Sequence, residues 1–406
     1  TTMRSSRLAL FLATSTRTPS SSAFAIHQRN LSKIGKSRAA SSSIFSRSPI
    51  SSPEIKTYSS KTFTRALPNA NFSLAARRSS AFIRNMSTAA STETNANADD
   101  GSSNTRVALL QFKVTEDKAT NQATARSFLR QAHEKGASLV VLPEIWNSPY
   151  ATTAFGEYAE SLPAMGFQYK YDGKDDDPLS ACPSAKILFE AAVNYKIHII
   201  GGSIPEIDTN GNIYNTCLCI SPEGKVVGKH RKVHLFDIDV PGGITFRESD
   251  TLSPGNTMTA FDAGESFGSV GVGICYDIRF PEYAMLLTKK HMCNLLVYPG
   301  AFNMTTGPAH WELLQKARAV DNQCFVLTAS PARTEEPNDG EEGKYKHYTA
   351  WGHSTVINPW GEVVGTCGAE EDIVVVDLAM GDVARMREGI PTFSQKRDDM
   401  YKLTES

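Results

Sequence analysis

The sequence predicts an α/β protein in which two β-sheets pack face to face between outer helices. Three observations lead there. A strand pattern, a helix pattern and a second strand pattern follow one another within residues 106–142, which makes a βαβ unit. Strand patterns then recur as far as residue 377, in greater number than one open sheet accommodates. No internal repeat is present, which excludes solenoids and propellers.

The elements read as follows. Residues 106–113 (RVALLQFK) form a strand, and 121–135 have helical spacing through Ala125, Phe128, Leu129 and Ala132, stopped by Gly136. Residues 139–142 (LVVL) are a short apolar strand followed at once by Pro143 and Glu144. Residues 184–195 are helical, and 197–201 are a strand that runs into a loop, GGSIPE. Residues 215–221 (NTCLCIS) and 225–230 form a hairpin turned by Pro222-Glu223-Gly224. Cys217 and Cys219 share one face of that strand, where core packing is the expected role. Residues 268–274 (GSVGVGI) are a buried strand, followed by a helix that starts at Pro281. Strands at 294–298 and 324–329 flank a helix at 310–321, and a hairpin at 354–367 turns on Pro359-Trp360-Gly361. A strand at 373–377 closes the sheet, with a helix at 380–388. Residues 169–183 and 334–346 are polar and read as loops.

Charge divides the chain. Of 42 Lys/Arg and 43 Asp/Glu, residues 1–100 hold 14 and 4, a balance of +10 that leaves −11 for the rest. The body therefore carries no nucleic-acid footprint. No apolar run reaches the roughly 18 residues needed to span a bilayer. Residues 1–104 are rich in Ser, Ala, Thr and basic residues, with no acid before Glu54. That is the composition of an organelle transit peptide followed by a linker, with the mitochondrion as the expected address. A plastid, or a cytoplasmic form started at Met86, is the alternative. Residues 105–406 form the folded domain. The seven cysteines show no C-x-x-C pair and no disulfide spacing, which suggests free thiols.

The chemistry centres on Cys275, at the point where strand 268–274 gives way to a turn and a helix. A thiol lifted from a strand end beside backbone N–H groups is a candidate nucleophile, although a buried packing role is the commoner fate of a cysteine. Amide cleavage by a thiol also needs a base and a donor for the oxyanion. Glu144 emerges from the end of LVVL. Lys232 lies just beyond the 215–230 hairpin, and Glu248 lies in TFRES.

In LPEIW, HRKVHLFDIDVPG and GICYDIRFPE, the order Glu, Lys, Cys resembles the nitrilase superfamily of C–N hydrolases. The blocks YPGAFNMTTGPAHWELLQKARAVDNQ, ASPAR and AWGHSTVINPWGEV resemble its omega-amidase branch, and the resemblance covers 106–402. It implies a four-layer α-β-β-α sandwich, dimerising through one helical layer, with neither metal nor organic cofactor. It implies Glu144 as general base and acid, Lys232 as oxyanion stabiliser and Cys275 as nucleophile. Glu248 would position the lysine, and the Tyr276 N–H would be a second oxyanion donor. The implied substrates are small 2-oxo acid amides, 2-oxoglutaramate and 2-oxosuccinamate, with Arg279 meeting their carboxylate. Phe236, Phe302 and Thr306 would line the pocket. Arg279 has a competing structural role, pairing with Asp277 or Glu282. Tyr150 and His310 read as scaffold. A deaminated-glutathione amidase, a carbamoylase or a nitrilase would keep the trio but lack FNMTTGPAHWE. A non-catalytic module on the same fold would lose one of the trio. The two polar loops are longer than in compact members of the family.

Overall fold

The structure, a computed structural model, describes residues 104–170, 177–239, 245–334, 344–347 and 349–405. The expected leader up to residue 103, and residues 171–176 and 335–343 of the two polar loops, lie outside the described residues.

Strands β1 (Arg106–Gln111), β2 (Leu139–Val141), β3 (His198–Ile200), β4 (Ile204–Ile207), β5 (Ile213–Ile220), β6 (Val226–Arg231) and β15 (Asp372–Asp377) make one mixed sheet. Its order is β15-β1-β2-β3-β5-β4, with β6 also paired to β5. Strands β9 (Thr259–Asp262), β10 (Ser269–Val272), β11 (Leu295–Pro299), β12 (Phe325–Ala329), β13 (Thr355–Ile357) and β14 (Val363–Thr366) make the second, ordered β14-β13-β12-β11-β10-β9. A separate hairpin joins β7 (Asp237–Asp239) to β8 (Thr245–Arg247).

Side-chain alternation sorts the layers. In β1, Val107 and Leu109 enter the core between the sheets, while Ala108 and Leu110 face helices α1 (Lys118–Glu134) and α3 (Pro183–Tyr195). Both faces are covered, which is why the middle of β1, Val107 to Leu110, is a continuous apolar run. On the second sheet, Gly271 faces Leu287 of α4 (Pro281–Lys289), and Trp311 and Ala319 of α5 (Gly307–Asn322) join the same core. The result is the expected order of helices, sheet, sheet, helices. Cys217 and Cys219 are both fully buried between the sheets. A one-turn helix α2 (Phe155–Tyr158) and α6 (Gly381–Gly389) complete the set.

Three local expectations are corrected. Helix α1 begins one turn early because Asp117 caps it, its Oδ1 accepting from the Ala119 N–H at 2.9 Å. Asn121 is instead buried inside α1, accepting from the Thr115 N–H at 2.8 Å. The segment IPEI, read as loop, is strand β4. It lies at the sheet edge, where Pro205 leaves no interior ladder bond unmade. Strand β9 and the β7–β8 hairpin also stand where no strand was expected.

The loop between β3 and β4 holds the chain beside Glu144. Gly202 has φ +63°, and a Cβ there would sit 2.1 Å from the Pro143 carbonyl oxygen. Gly202→Ala is expected to lower stability by about 1–3 kcal/mol, measured by denaturant unfolding, since both the left-handed backbone and the clash oppose it.

Candidate active site

Loops leaving strand ends of both sheets converge on one buried cluster. Glu144 follows β2, Lys232 follows β6, Glu248 follows β8, Cys275 follows β10 and Ala301 follows β11. All three charged side chains are fully buried. Lys232 Nζ donates to Glu144 Oε1 at 3.0 Å and to Glu248 Oε1 at 2.9 Å. Glu248 Oε2 accepts from the Phe236 N–H at 2.7 Å. Glu144 Oε2 accepts from the Ala301 N–H at 2.8 Å. Every carboxylate oxygen here has a donor, which is what permits two carboxylates out of water.

Tyr150 belongs to this cluster rather than to the scaffold. Its hydroxyl lies 2.5 Å from Glu248 Oε1, 2.9 Å from Glu144 Oε1 and 3.4 Å from Lys232 Nζ. Asn215 is a second member that the sequence did not flag. Its side-chain amide donates to Glu144 Oε1 at 2.9 Å, and its backbone carbonyl accepts from the Lys232 backbone N–H at 2.8 Å. The one available signal was a buried-type position on an apolar strand occupied by an amide. Tyr150 had none, because it reaches the site from a loop beyond the strand end.

Cys275 opens a 3-10 turn (Cys275–Arg279) with φ +45°, a strained value for a residue with a side chain. Asp277 holds that strain in place. Its Oδ2 accepts from the Ile274 N–H at 2.9 Å and lies 3.1 Å from His230 Nε2. Its Oδ1 accepts from the His234 N–H at 2.9 Å and lies 2.7 Å from His234 Nδ1. His230 and His234 flank Lys232, so one buried carboxylate ties the cysteine turn to the lysine segment. Burial would raise the Asp277 pKa, but the two histidines and the Ile274 N–H hold it well below the usual carboxylate range.

The electrostatics favour a neutral thiol beside a basic carboxylate. Burial, then the Glu144 carboxylate, pushes the Cys275 pKa well up, with Lys232 opposing. Burial also raises Glu144, against Lys232 and reinforced by Glu248. Lys232 is pulled down by burial, but Glu144 and Glu248 outweigh that and keep it a cation. The thiol therefore needs a base to ionise it, and the adjacent group with a raised pKa is Glu144.

Phe236, Cys275, Tyr276, Arg279, Ala301, Phe302, Asn303 and Thr306 enclose a small cavity. Its free space is about 10 Å³, so an organic acid enters only as lining side chains move. Clefts of about 340 Å³ between α1 and α3, and about 630 Å³ beside His234, lie away from Cys275. The structure thus gathers all nine sequence candidates: four in the buried cluster and five around the cavity. Arg279 is half-buried, its guanidinium 4.8 Å from the Phe302 ring centre and 5.7 Å from that of Tyr276. Among the described residues no carboxylate pairs with it; Asp277 is taken up by the histidines, and Arg279 instead approaches His310 Nδ1 at 3.4 Å. Among the described residues the Tyr276 N–H has no acceptor.

A thiol held between a carboxylate and an ammonium, on two sheets flanked by helices, is the equipment of a thiol-dependent hydrolase of C–N bonds. The chain belongs to the carbon-nitrogen hydrolase family, whose pattern matches residues 106–388. It is 50% identical over 298 residues to the omega-amidase NIT2 of Bos taurus, covering 73% of this chain and 97% of that one. The omega-amidase NIT2 of Homo sapiens is 49% identical over the same length, with the same coverage. Among solved structures, Saccharomyces cerevisiae Nit3, a member of branch 10 of the nitrilase superfamily, superposes with a TM-score of 0.60 at 38% identity. That match covers 72% of this chain and 96% of Nit3. The C. elegans NitFhit protein matches at 29% identity and a TM-score of 0.58, over 73% of this chain and 66% of that one.

Proposed function

We propose that the protein is an omega-amidase, hydrolysing the terminal amide of 2-oxoglutaramate and 2-oxosuccinamate to ammonia and 2-oxoglutarate or oxaloacetate. Relatives named omega-amidase at half identity support the reading. The observation that carries the substrate class is Arg279, a cation in the Cys275 cavity with no carboxylate partner among the described residues. A substrate bearing a carboxylate at the end remote from its amide supplies that partner, and a guanidinium binds it in bidentate fashion.

In the proposed cycle, Glu144 takes the Cys275 proton as sulfur attacks the amide carbon. Two of the three Lys232 N–H groups are committed to carboxylates, and the third, which makes only a long 3.4 Å contact to the Tyr150 hydroxyl, turns with the Tyr276 N–H to meet the oxyanion. Glu144 passes the proton to nitrogen, the C–N bond breaks and ammonia leaves a thioester. Glu144 then draws a proton from water as its oxygen bonds to the acyl carbon. The C–S bond breaks and the proton returns to sulfur.

Glu248 raises the Glu144 pKa by its charge. In Glu248→Gln, the acid limb of kcat/KM is therefore expected to move to lower pH while kcat falls. The pH–rate profile checks this, and its limb belongs to the coupled cluster rather than to one residue. The substrate reading is tested by ammonia release from 2-oxoglutaramate beside deaminated glutathione and an aliphatic nitrile. Fast turnover of 2-oxoglutaramate alone is expected, and preference for either alternative would overturn the assignment.

Two further parts of the reading follow from sequence and surface. We infer a homodimer joined through the α4/α5 layer, supported by Leu313 and Val320, 63% and 44% exposed on α5. Sedimentation equilibrium at the monomer mass would contradict it. We also infer mitochondrial import directed by residues 1–104, supported by their basic, acid-poor composition. A fusion of that segment to a fluorescent protein that stays in the cytosol would contradict it.

A further inference from the structure

We propose that Ser203 is a positioning residue for the general base: its hydroxyl oxygen holds the left-handed turn that follows Glu144, and so aims the Glu144 carboxylate at the nucleophile. The inference rests on the omega-amidase reading, in which Glu144 is base and acid, and adds to it a residue remote from the substrate cavity. Ile145, next after Glu144, has φ +50°. A β-branched residue adopts that backbone rarely and at a cost, because its Cβ crowds the following carbonyl oxygen. Such a conformation persists only where the surroundings over-determine it. Ile145 donates its backbone N–H to Ser203 Oγ at 3.1 Å, and both residues are buried. Among the described residues, that hydroxyl is the acceptor the Ile145 N–H has.

Ser203 lies in the loop between β3 and β4, and that loop brackets Glu144. The Ser203 N–H donates to the Pro143 carbonyl at 3.1 Å, and the Ser203 carbonyl accepts from the Trp146 N–H at 3.2 Å. The Trp146 indole N–H donates to the Gly201 carbonyl at 2.9 Å. Pro143 and Trp146 are thus fixed without the Ser203 side chain, and only the turn between them depends on its oxygen. That turn decides where two side chains go. Along an extended strand, successive side chains point to opposite faces. Glu144 and Ile145 instead engage the same groups. Ile145 belongs to a buried cluster with Tyr150 and Ala301. The Tyr150 hydroxyl lies 2.9 Å from Glu144 Oε1, and the Ala301 N–H donates to Oε2 at 2.8 Å. A shift of the Ile145 backbone therefore moves the carboxylate against two of its own partners. The nucleophile is held in a parallel way: Cys275 has φ +45°, and Asp277 Oδ2 accepts from the neighbouring Ile274 N–H.

The test is steady-state hydrolysis of 2-oxoglutaramate by wild-type protein, Ser203→Ala and Ser203→Cys, each checked for folding by circular dichroism. Ser203→Ala removes the oxygen and leaves the bonds to Pro143 and Trp146 in place. Its kcat is expected to fall about 10- to 100-fold, the scale on which a misplacement of about 1 Å slows a reaction. KM should stay within about twofold of wild type, because the acid–base step is damaged and the binding cavity is not. Ser203→Cys fills the volume of the serine, but sulfur is a weak acceptor. It is therefore expected to lose kcat as Ala does, whereas a residue that served only packing would be replaced by Cys without loss of rate. If the Ala variant fails to fold, the Cys variant decides. A kcat near wild type in either folded variant, or a loss confined to KM, overturns the inference and leaves the omega-amidase reading standing. Absence of any wild-type turnover of 2-oxoglutaramate overturns that reading instead.

Discussion

Cys275→Ala is expected to abolish amide hydrolysis, lowering kcat by on the order of 10⁵-fold or more, while leaving the fold intact. The thiol forms the bond that splits one hard displacement into two easier ones, and none of the other six cysteines can replace it. None of the six lines the cavity that holds Cys275: Cys217, Cys219, Cys293 and Cys324 are fully buried in the core, Cys182 is buried in the helix-side cluster of the first sheet, and Cys367 is half-buried just beyond β14. Removal of one sulfur from a site beside Gly300 leaves packing close to native, and Ala carries the strain of φ +45° as Cys does, since both have a Cβ. Circular dichroism and thermal unfolding should superpose on wild type. Substantial residual turnover would contradict the nucleophile assignment.

Lys232→Met is expected to damage both rate and stability. Its ammonium is the one cation bonded to Glu144 and Glu248 among the described residues. Without it, two buried carboxylates face each other across the Tyr150 hydroxyl. Breaking a buried ion pair from one side typically costs about 3–5 kcal/mol, because the remaining charge is left without compensation. Loss of the oxyanion donor removes about 10²- to 10³-fold in kcat besides. Combining Lys232→Met with Glu248→Gln removes one of the stranded charges. The double variant is therefore expected to recover part of the stability and none of the rate. Denaturant unfolding and steady-state kinetics on the single and double variants separate the two effects; full additivity in stability would contradict the coupling.

The sequence made the reacting groups legible and their supports invisible, for a physical reason. Glu144, Lys232 and Cys275 each stand at the end of a strand pattern, and a strand end is a place that short-range periodicity can locate. Tyr150, Asn215 and Asp277 act through partners far along the chain: Asp277 bonds His230 and His234, and Tyr150 bonds Glu248. Those pairings exist only after the two sheets stack. The same limit explains β4, whose Pro205 argues against a strand until its edge position is known. It also explains the start of α1, where Asp117 and Asn121 are both plausible caps and only burial of Asn121 decides.

The measurement to make first is rapid acid quench of wild-type protein with 2-oxoglutaramate, followed by mass spectrometry of the cysteine peptides and assay of both products. A transient acyl adduct on the Cys275 peptide, with ammonia released ahead of 2-oxoglutarate, is the predicted result. Turnover with an adduct on another cysteine, or with every cysteine unmodified while ammonia and 2-oxoglutarate appear in step, would contradict a thioester at Cys275.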